Sequence, residues 1–166
     1  GQIPIYYNQK NTGRPVDLNN ERIDYKSNYL DTSIAPLYPF GFGLSYSTFA
    51  VSNVRSDKSS MKTVNDKITV TTTVQNTGNV DGEMVIQLYT RQLWASVTRP
   101  IKELKGFQKV SLKAGESKQL SFELTSEDLA FYGIDMKKKT EPGDFKLWIA
   151  QHSADNSNEI SFSVSE

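Results

Sequence analysis

The chain has 166 residues, 19 basic and 19 acidic side chains, and no cysteine. Balanced charge gives no global field toward nucleic acid or an anionic membrane. The lack of cysteine excludes disulfides and thiolate metal sites while leaving the redox compartment open. No apolar run is long enough to span a bilayer, and the length fits one domain plus an additional segment.

The opening Gly1-Gln2-Ile3-Pro4 does not read as a signal peptide; it looks like the middle of a protein. Ile3-Pro4-Ile5-Tyr6-Tyr7 is a short β-like run whose Pro4 marks an edge or a strand start. From Asn8 to Ala35 no helical or strand period holds, and Asn, Asp, Gly13 and Pro15 recur as turn residues. Yet six of the eight tyrosines, Tyr6, Tyr7, Tyr25, Tyr29, Tyr38 and Tyr46, fall in the first part of the chain. A disordered segment is poor in aromatics, so residues 1–47 are expected to bury rings against a surface they do not themselves build.

Pro36 through Phe49 is the stretch around which the chain is organised. Its two prolines fix φ and withhold backbone donors, and Gly41 and Gly43 supply positive φ or close approach. Leu37, Tyr38, Phe40, Phe42, Leu44, Tyr46 and Phe49 crowd between and after them. A solvated linker is rich in Gly and Ser or charged. This stretch is therefore read as a clamped joint between two domains, with Tyr38, Phe40, Phe42 and Tyr46 as interdomain contact residues.

From residue 48 the pattern is β. Phe49, Val51 and Val54 begin it, and Ile68, Val70, Thr72 and Val74 alternate with Thr69, Thr71 and Thr73. After a turn at Asn76-Thr77-Gly78-Asn79, Met84, Ile86 and Leu88 share one face, with Val85, Gln87 and Tyr89 on the other. A longer connection holds Trp94, Arg99 and Pro100. The next strand is placed near Ile101 to Val110, with Leu104 and Phe107 as its large apolar groups. Lys113-Ala114-Gly115-Glu116 turns into Leu120, Phe122 and Leu124 at period two. Thr125-Ser126-Glu127-Asp128 has capping-box spacing, predicting one helical turn through Leu129-Ala130-Phe131. A turn at Glu141-Pro142-Gly143-Asp144 leads into a last hairpin that sets Phe145, Leu147 and Ile149 with Ile160, Phe162 and Val164. About seven short strands between turn signals predict an all-β, immunoglobulin- or fibronectin type III-like sandwich over residues 48–166.

No residues assemble a catalytic, cofactor-binding or metal site, and no cofactor is expected. His152, the only histidine, is read as a solvated loop residue, since it has no second imidazole or thiol to share a metal with. Gly41-Phe42-Gly43 lacks the third glycine and following helix of a phosphate loop. Asp81-Gly82-Glu83 falls short of the ligands Ca²⁺ needs, and Lys137-Lys138-Lys139 reads as a solvated face. Trp94 and Trp148 are both able to stack on sugar rings. Trp148 falls on the strand face opposite Phe145, Leu147 and Ile149, where it serves as an interface residue, a sugar platform or part of a covered second face; the interface reading carries most weight. Pro100 biases Arg99 toward extended geometry, projecting its fork of donors toward a neighbouring domain or the arm, with a local ion pair to Glu103 as the alternative.

Four stretches resemble the C-terminal end of glycoside hydrolase family 3 enzymes, the β-glucosidase and β-xylosidase group. They are Gln2–Asn8 with Asn11-Thr12-Gly13-Arg14-Pro15, Tyr29-Leu30-Asp31, Pro36–Phe49, and Ser96–Phe107. Leu112–Ser117 and Asp128–Tyr132 extend the likeness. The resemblance implies that residues 1–47 are the tail of an α/β sandwich domain and residues 48–166 a fibronectin type III-like domain. It also implies that the nucleophilic Asp and acid/base Glu of a retaining exo-acting β-glycosidase lie upstream, so neither maps onto this chain. Upstream catalytic domains of the same protein are the expected partner, neither nucleic acid nor membrane is, and a homo-oligomer stays open. A periplasmic or extracellular setting follows from the resemblance alone. The competing expectation is a self-standing module that binds polysaccharide or protein through Trp94, Trp148 or the tyrosine arm.

Overall fold

The structure is a computed structural model that describes residues 6–11, 13–15, 29 and 32–166. Ile3, Pro4 and Ile5 of the β-like run, Tyr25, and the Leu30-Asp31 pair lie outside the described residues. What is described before Phe49 is irregular apart from one antiparallel bridge between Lys10 and Pro100.

Two sheets face each other. One has the order β1 (Phe49–Ser56), β3 (Lys67–Asn76), β6 (Ser117–Thr125). The other runs β2 (Ser60–Lys62), β10 (Glu159–Ser165), β9 (Gly143–Ala150), β4 (Gly82–Gln92), β5 (Glu103–Leu112). A separate two-residue pair, β7 (Phe131–Tyr132) and β8 (Lys138–Lys139), sits between β6 and β9 in the chain. The seven longer strands are the ones the alternation predicts, and they form the expected sandwich. Three-residue β2, which pairs parallel with β10, carries too few residues to show a period.

Period two builds the core. Ile68, Val70, Thr72 and Val74 of β3 face inward with Leu120, Phe122 and Leu124 of β6. Opposite them stand Ile86 and Leu88 of β4, Leu147 and Ile149 of β9, and the stacked rings of Phe145 and Phe162, 5.1 Å apart. Thr72 tolerates burial because its hydroxyl donates to Ser52 O at 2.9 Å. Each fully buried Leu, Ile or Phe contributes roughly 1.5–3 kcal/mol, so a core of this size needs no disulfide.

Three expectations need correction. The fifth strand begins at Glu103, after Ile101, and a bulge opposes Leu88–Tyr89 to Gly106 and Leu104, leaving Lys105 as the extra residue. That residue flips the parity of the strand. Leu104 and Phe107 therefore share the outer face, Phe107 is exposed, and Val110 and Leu112 fill the core. The turn after Thr125 is a single 3-10 turn at Glu127–Leu129, closed at Ala130, with Phe131 already extended in β7. Thr125 and Asp128 do exchange hydrogen bonds, Thr125 N to Asp128 Oδ2 at 2.8 Å and Asp128 N to Thr125 Oγ1 at 3.2 Å. Gly143 and Asp144 belong to β9 and not to a turn. As expected, Val54 belongs to β1 and packs against the core, although the β1 pairing breaks beside it at Asn53, whose φ is 54°.

Candidate interdomain site

Alternation along β4 and β9 sends Gln87, Tyr89, Trp148 and Ala150 to the face of the five-stranded sheet opposite the core. A free outer face would leave them wet. Instead Tyr89 and Ala150 are fully buried and Trp148 is 5% exposed. The cover comes from the same chain. Tyr7 meets Tyr89 edge-on at 6.0 Å, and Phe40 stacks on Tyr7 at 4.3 Å. The arm is held in register there by Ile101 N donating to Gln9 O at 2.9 Å and by the Lys10–Pro100 bridge.

Lys102 closes the other side. Its ammonium lies 5.1 Å from the Tyr89 ring centre and 4.7 Å from that of Trp148. It donates to Ser153 O at 2.8 Å, Asp155 O at 2.9 Å and Asn156 Oδ1 at 2.8 Å. Burial pushes this ammonium down to about 8, against the pull of the Asp155 and Glu159 carboxylates. Burial also pushes the Tyr89 phenol up; its hydroxyl donates to Gln87 Oε1.

The joint is pinned at two points. Gln87 Nε2 donates to Gln151 O at 2.9 Å and reaches Gly41 O at 3.5 Å, while Ser153 N donates to Phe40 O at 2.9 Å. Gly41 has φ 81°, and a Cβ there would collide with the Gln87 amide, so glycine is required on both counts. At the far end Ser47 is buried and its hydroxyl donates to Asn76 Oδ1 at 2.5 Å. Asn76 is itself fully buried, and its amide donates to Val80 O and Leu112 O.

With the backbone clamped, the rings the sequence marks divide into two sets. Tyr7 and half of Phe40 face the sandwich. Leu37, Tyr38, Leu44 and Tyr46 do not: Leu44 is 92% exposed and Tyr46 wholly so. Phe42 lies between, 5.4 Å from Tyr38 and 6.1 Å from His152 by ring centres. An apolar run held out by a fixed backbone is the form of a docking surface.

Trp148 occupies the predicted face, but that face is covered and its ring is not free to stack on a sugar. Arg99 turns toward its own sandwich: it pairs with Glu103 at 2.8 Å and lies 4.0 Å over the Phe131 ring, with a side chain only 13% exposed. The local pair, the alternative weighed above, is the arrangement present. His152 is half-buried against Phe42, not solvated. Lys102, Gln87 and Asn76 were missed by sequence reasoning, because a buried polar residue leaves no periodic signal. Only the outward placement of Tyr89 and Trp148 on adjacent strands hinted that something must cover them. Lys137, Lys138 and Lys139 are exposed, as expected, and no cluster of metal-binding side chains exists among the described residues.

Residues 84–153 match the family described as the fibronectin type III-like domain. The chain is 47% identical over 154 residues to a periplasmic β-glucosidase of Salmonella typhimurium, covering 93% of this chain and 20% of that protein. It is 39% identical over 165 residues to a β-xylosidase of Formosa agariphila, covering 99% and 22%. Among solved structures, a β-glucosidase from Listeria innocua in complex with glucose superposes with a TM-score of 0.91 at 40% identity, over 99% of this chain and 22% of that one. The chain thus spans about a fifth of the length of the curated relatives it matches.

Proposed function

Because this chain is a fibronectin type III-like segment corresponding to the C-terminal part of family 3 β-glucosidases and β-xylosidases, we propose that it is the non-catalytic end of a retaining, exo-acting β-glycosidase and braces that enzyme's catalytic domains. Residues 1–47 are then the tail of the preceding α/β domain, and residues 48–166 the brace. The single observation that carries this is the joint: its backbone is fixed to the sandwich at Gly41 and Ser47 while Tyr38, Leu44 and Tyr46 are held outward. A hinge between independent modules gains nothing from such a clamp; a fixed spacing between two domains requires one.

Retaining hydrolysis needs two carboxylates either side of a sugar ring, about 5 Å apart. In the proposed division of labour both lie upstream. The purified chain should therefore release no nitrophenol from nitrophenyl β-glucoside or β-xyloside. Turnover that disappears on mutating a residue within the chain would overturn the assignment.

A further inference from the structure

The connection from β4 to β5 carries Trp94, whose ring is 80% exposed. It borders an open groove of about 610 Å³ lined by Thr63, Ser96, Lys139, Glu141 and Pro142. Unlike Trp148, this indole has, among the described residues, no ring or cation against it and no part in either core. Its backbone is nevertheless fixed on both sides. Leu93 N donates to Asp144 O at 2.9 Å, and Ser96 gives two hydrogen bonds to Glu141, from N at 2.8 Å and from Oγ at 2.6 Å. Gly143 approaches so closely that a Cβ on it would lie 3.3 Å from Trp94 O.

A large apolar ring kept in water on a stiff loop is preorganised for a ligand with one flat apolar face. Around it the groove is polar. The Ser96 hydrogen bonds hold the Glu141 carboxyl below its usual range, so it stands as an ionised, two-oxygen acceptor with lone pairs to spare. Thr63 adds a hydroxyl to the lining, and Lys139 pairs with Asp135 at 2.9 Å at an exposed site.

We propose that this groove is a saccharide-binding site, separate from the joint. A pyranose of gluco or xylo configuration carries its hydroxyls equatorially, which leaves the C–H faces bare. One face stacks on Trp94, and the rim hydroxyls donate to Glu141 and exchange with Thr63. Charge-assisted acceptance of this kind is the stronger class of hydrogen bond. The groove is open to solvent, so it takes part of a chain and not an enclosed monosaccharide. With one stacked ring and a solvated rim, the expected Kd is on the order of 1 mM. Such a site would keep polymeric substrate near an enzyme that works from chain ends.

The full chain, labelled with ¹⁵N, is titrated with cellohexaose, xylohexaose and laminarihexaose to about 10 mM, tenfold above the expected Kd. The two indole N–H resonances are followed separately. Trp94 should shift saturably with at least one of these sugars while Trp148, sealed under Lys102, stays still. Trp94→Ala should abolish binding measured calorimetrically, and Glu141→Gln should weaken it about tenfold. An unmoved Trp94 resonance with all three sugars overturns the proposal, as does binding that survives Trp94→Ala. None of these outcomes bears on whether the chain is catalytically silent.

Discussion

The Lys102 ammonium lies 4.7 Å from the centre of the Trp148 ring, and this contact helps cover the outer face of the five-stranded sheet. Lys102→Met keeps the length of the side chain and removes the donors. Ser153 O, Asp155 O and Asn156 Oδ1 are then left without their partner, which should cost about 2–4 kcal/mol in chemical denaturation. Trp148 emission should shift to the red as the loop at residues 151–158 loosens.

The same lysine gives a pH signature. Its folded value, about 8, lies below the ordinary 10.5. Between those values the unfolded chain holds a proton that the folded chain does not, so stability rises with pH across that window. Tyr89 works in the opposite sense, since its raised value makes folding lose stability once pH passes the ordinary 10.0. The stability of the wild type relative to Lys102→Met should therefore climb from pH 8 to 10. A flat difference would show that the ammonium is not depressed.

Gly41→Ala tests the clamp. It combines a left-handed backbone with a collision against Gln87, whose amide is committed to Gln151 O and to the Tyr89 hydroxyl. A loss of about 1–3 kcal/mol is expected, together with faster hydrogen exchange at the Ser153 amide, which now donates to Phe40 O. Unchanged exchange at Ser153 would mean the joint is not held at this point.

Arg99→Ala should destabilise the chain itself. The guanidinium both pairs with Glu103 and covers Phe131, so about 1–3 kcal/mol is expected. A change below about 0.5 kcal/mol, the usual size for a surface site, would return Arg99 to the role of a contact for another domain.

Asp66 sets the acid side. Lys58 and the backbone amides of Lys62 and Lys67 hold its carboxyl down to about 2, from 3.8. A depressed carboxylate contributes stability that is present above the ordinary value and lost as pH falls through the folded one. Asp66→Asn should thus narrow the stability difference between pH 5 and pH 2, read by thermal unfolding. An identical acid profile would show that the hydrogen bonds to Lys62 N and Lys67 N carry no net energy.

The sandwich was legible because its inner faces are built by strict alternation: Ile68 to Val74, Met84 to Leu88 and Leu120 to Leu124 announce both element and orientation. Parity then fails wherever a residue is inserted. Lys105 bulges out of register, and nothing in Glu103–Phe107 distinguishes that from a continuous strand, which is why Phe107 was assigned weight it does not carry. That the Pro36–Phe49 stretch packs on a surface was legible, since prolines, paired glycines and crowded rings have no solvated use. Which rings turn inward was not, because Tyr7 finds its place against Tyr89, some eighty residues away in the chain, and Phe40 stacks on Tyr7. Arg99 and Trp148 went the same way: their partners, Phe131 and Lys102, are set by tertiary packing that no local pattern encodes.

In the proposed enzyme the outward rings of the joint are a docking surface for the domain that precedes them. The direct measurement exchanges this chain for the matching C-terminal segment of the Listeria innocua β-glucosidase, with and without Leu44→Asp and Tyr46→Asp. Both side chains are almost wholly exposed, so in the isolated chain the pair should alter stability by less than about 0.5 kcal/mol. In the exchanged enzyme the same pair should lower Tm by about 5 °C or more and reduce hydrolysis in step, as buried charges do at an interface. An exchanged enzyme that is as stable and as active with the two aspartates as without them would contradict the bracing role.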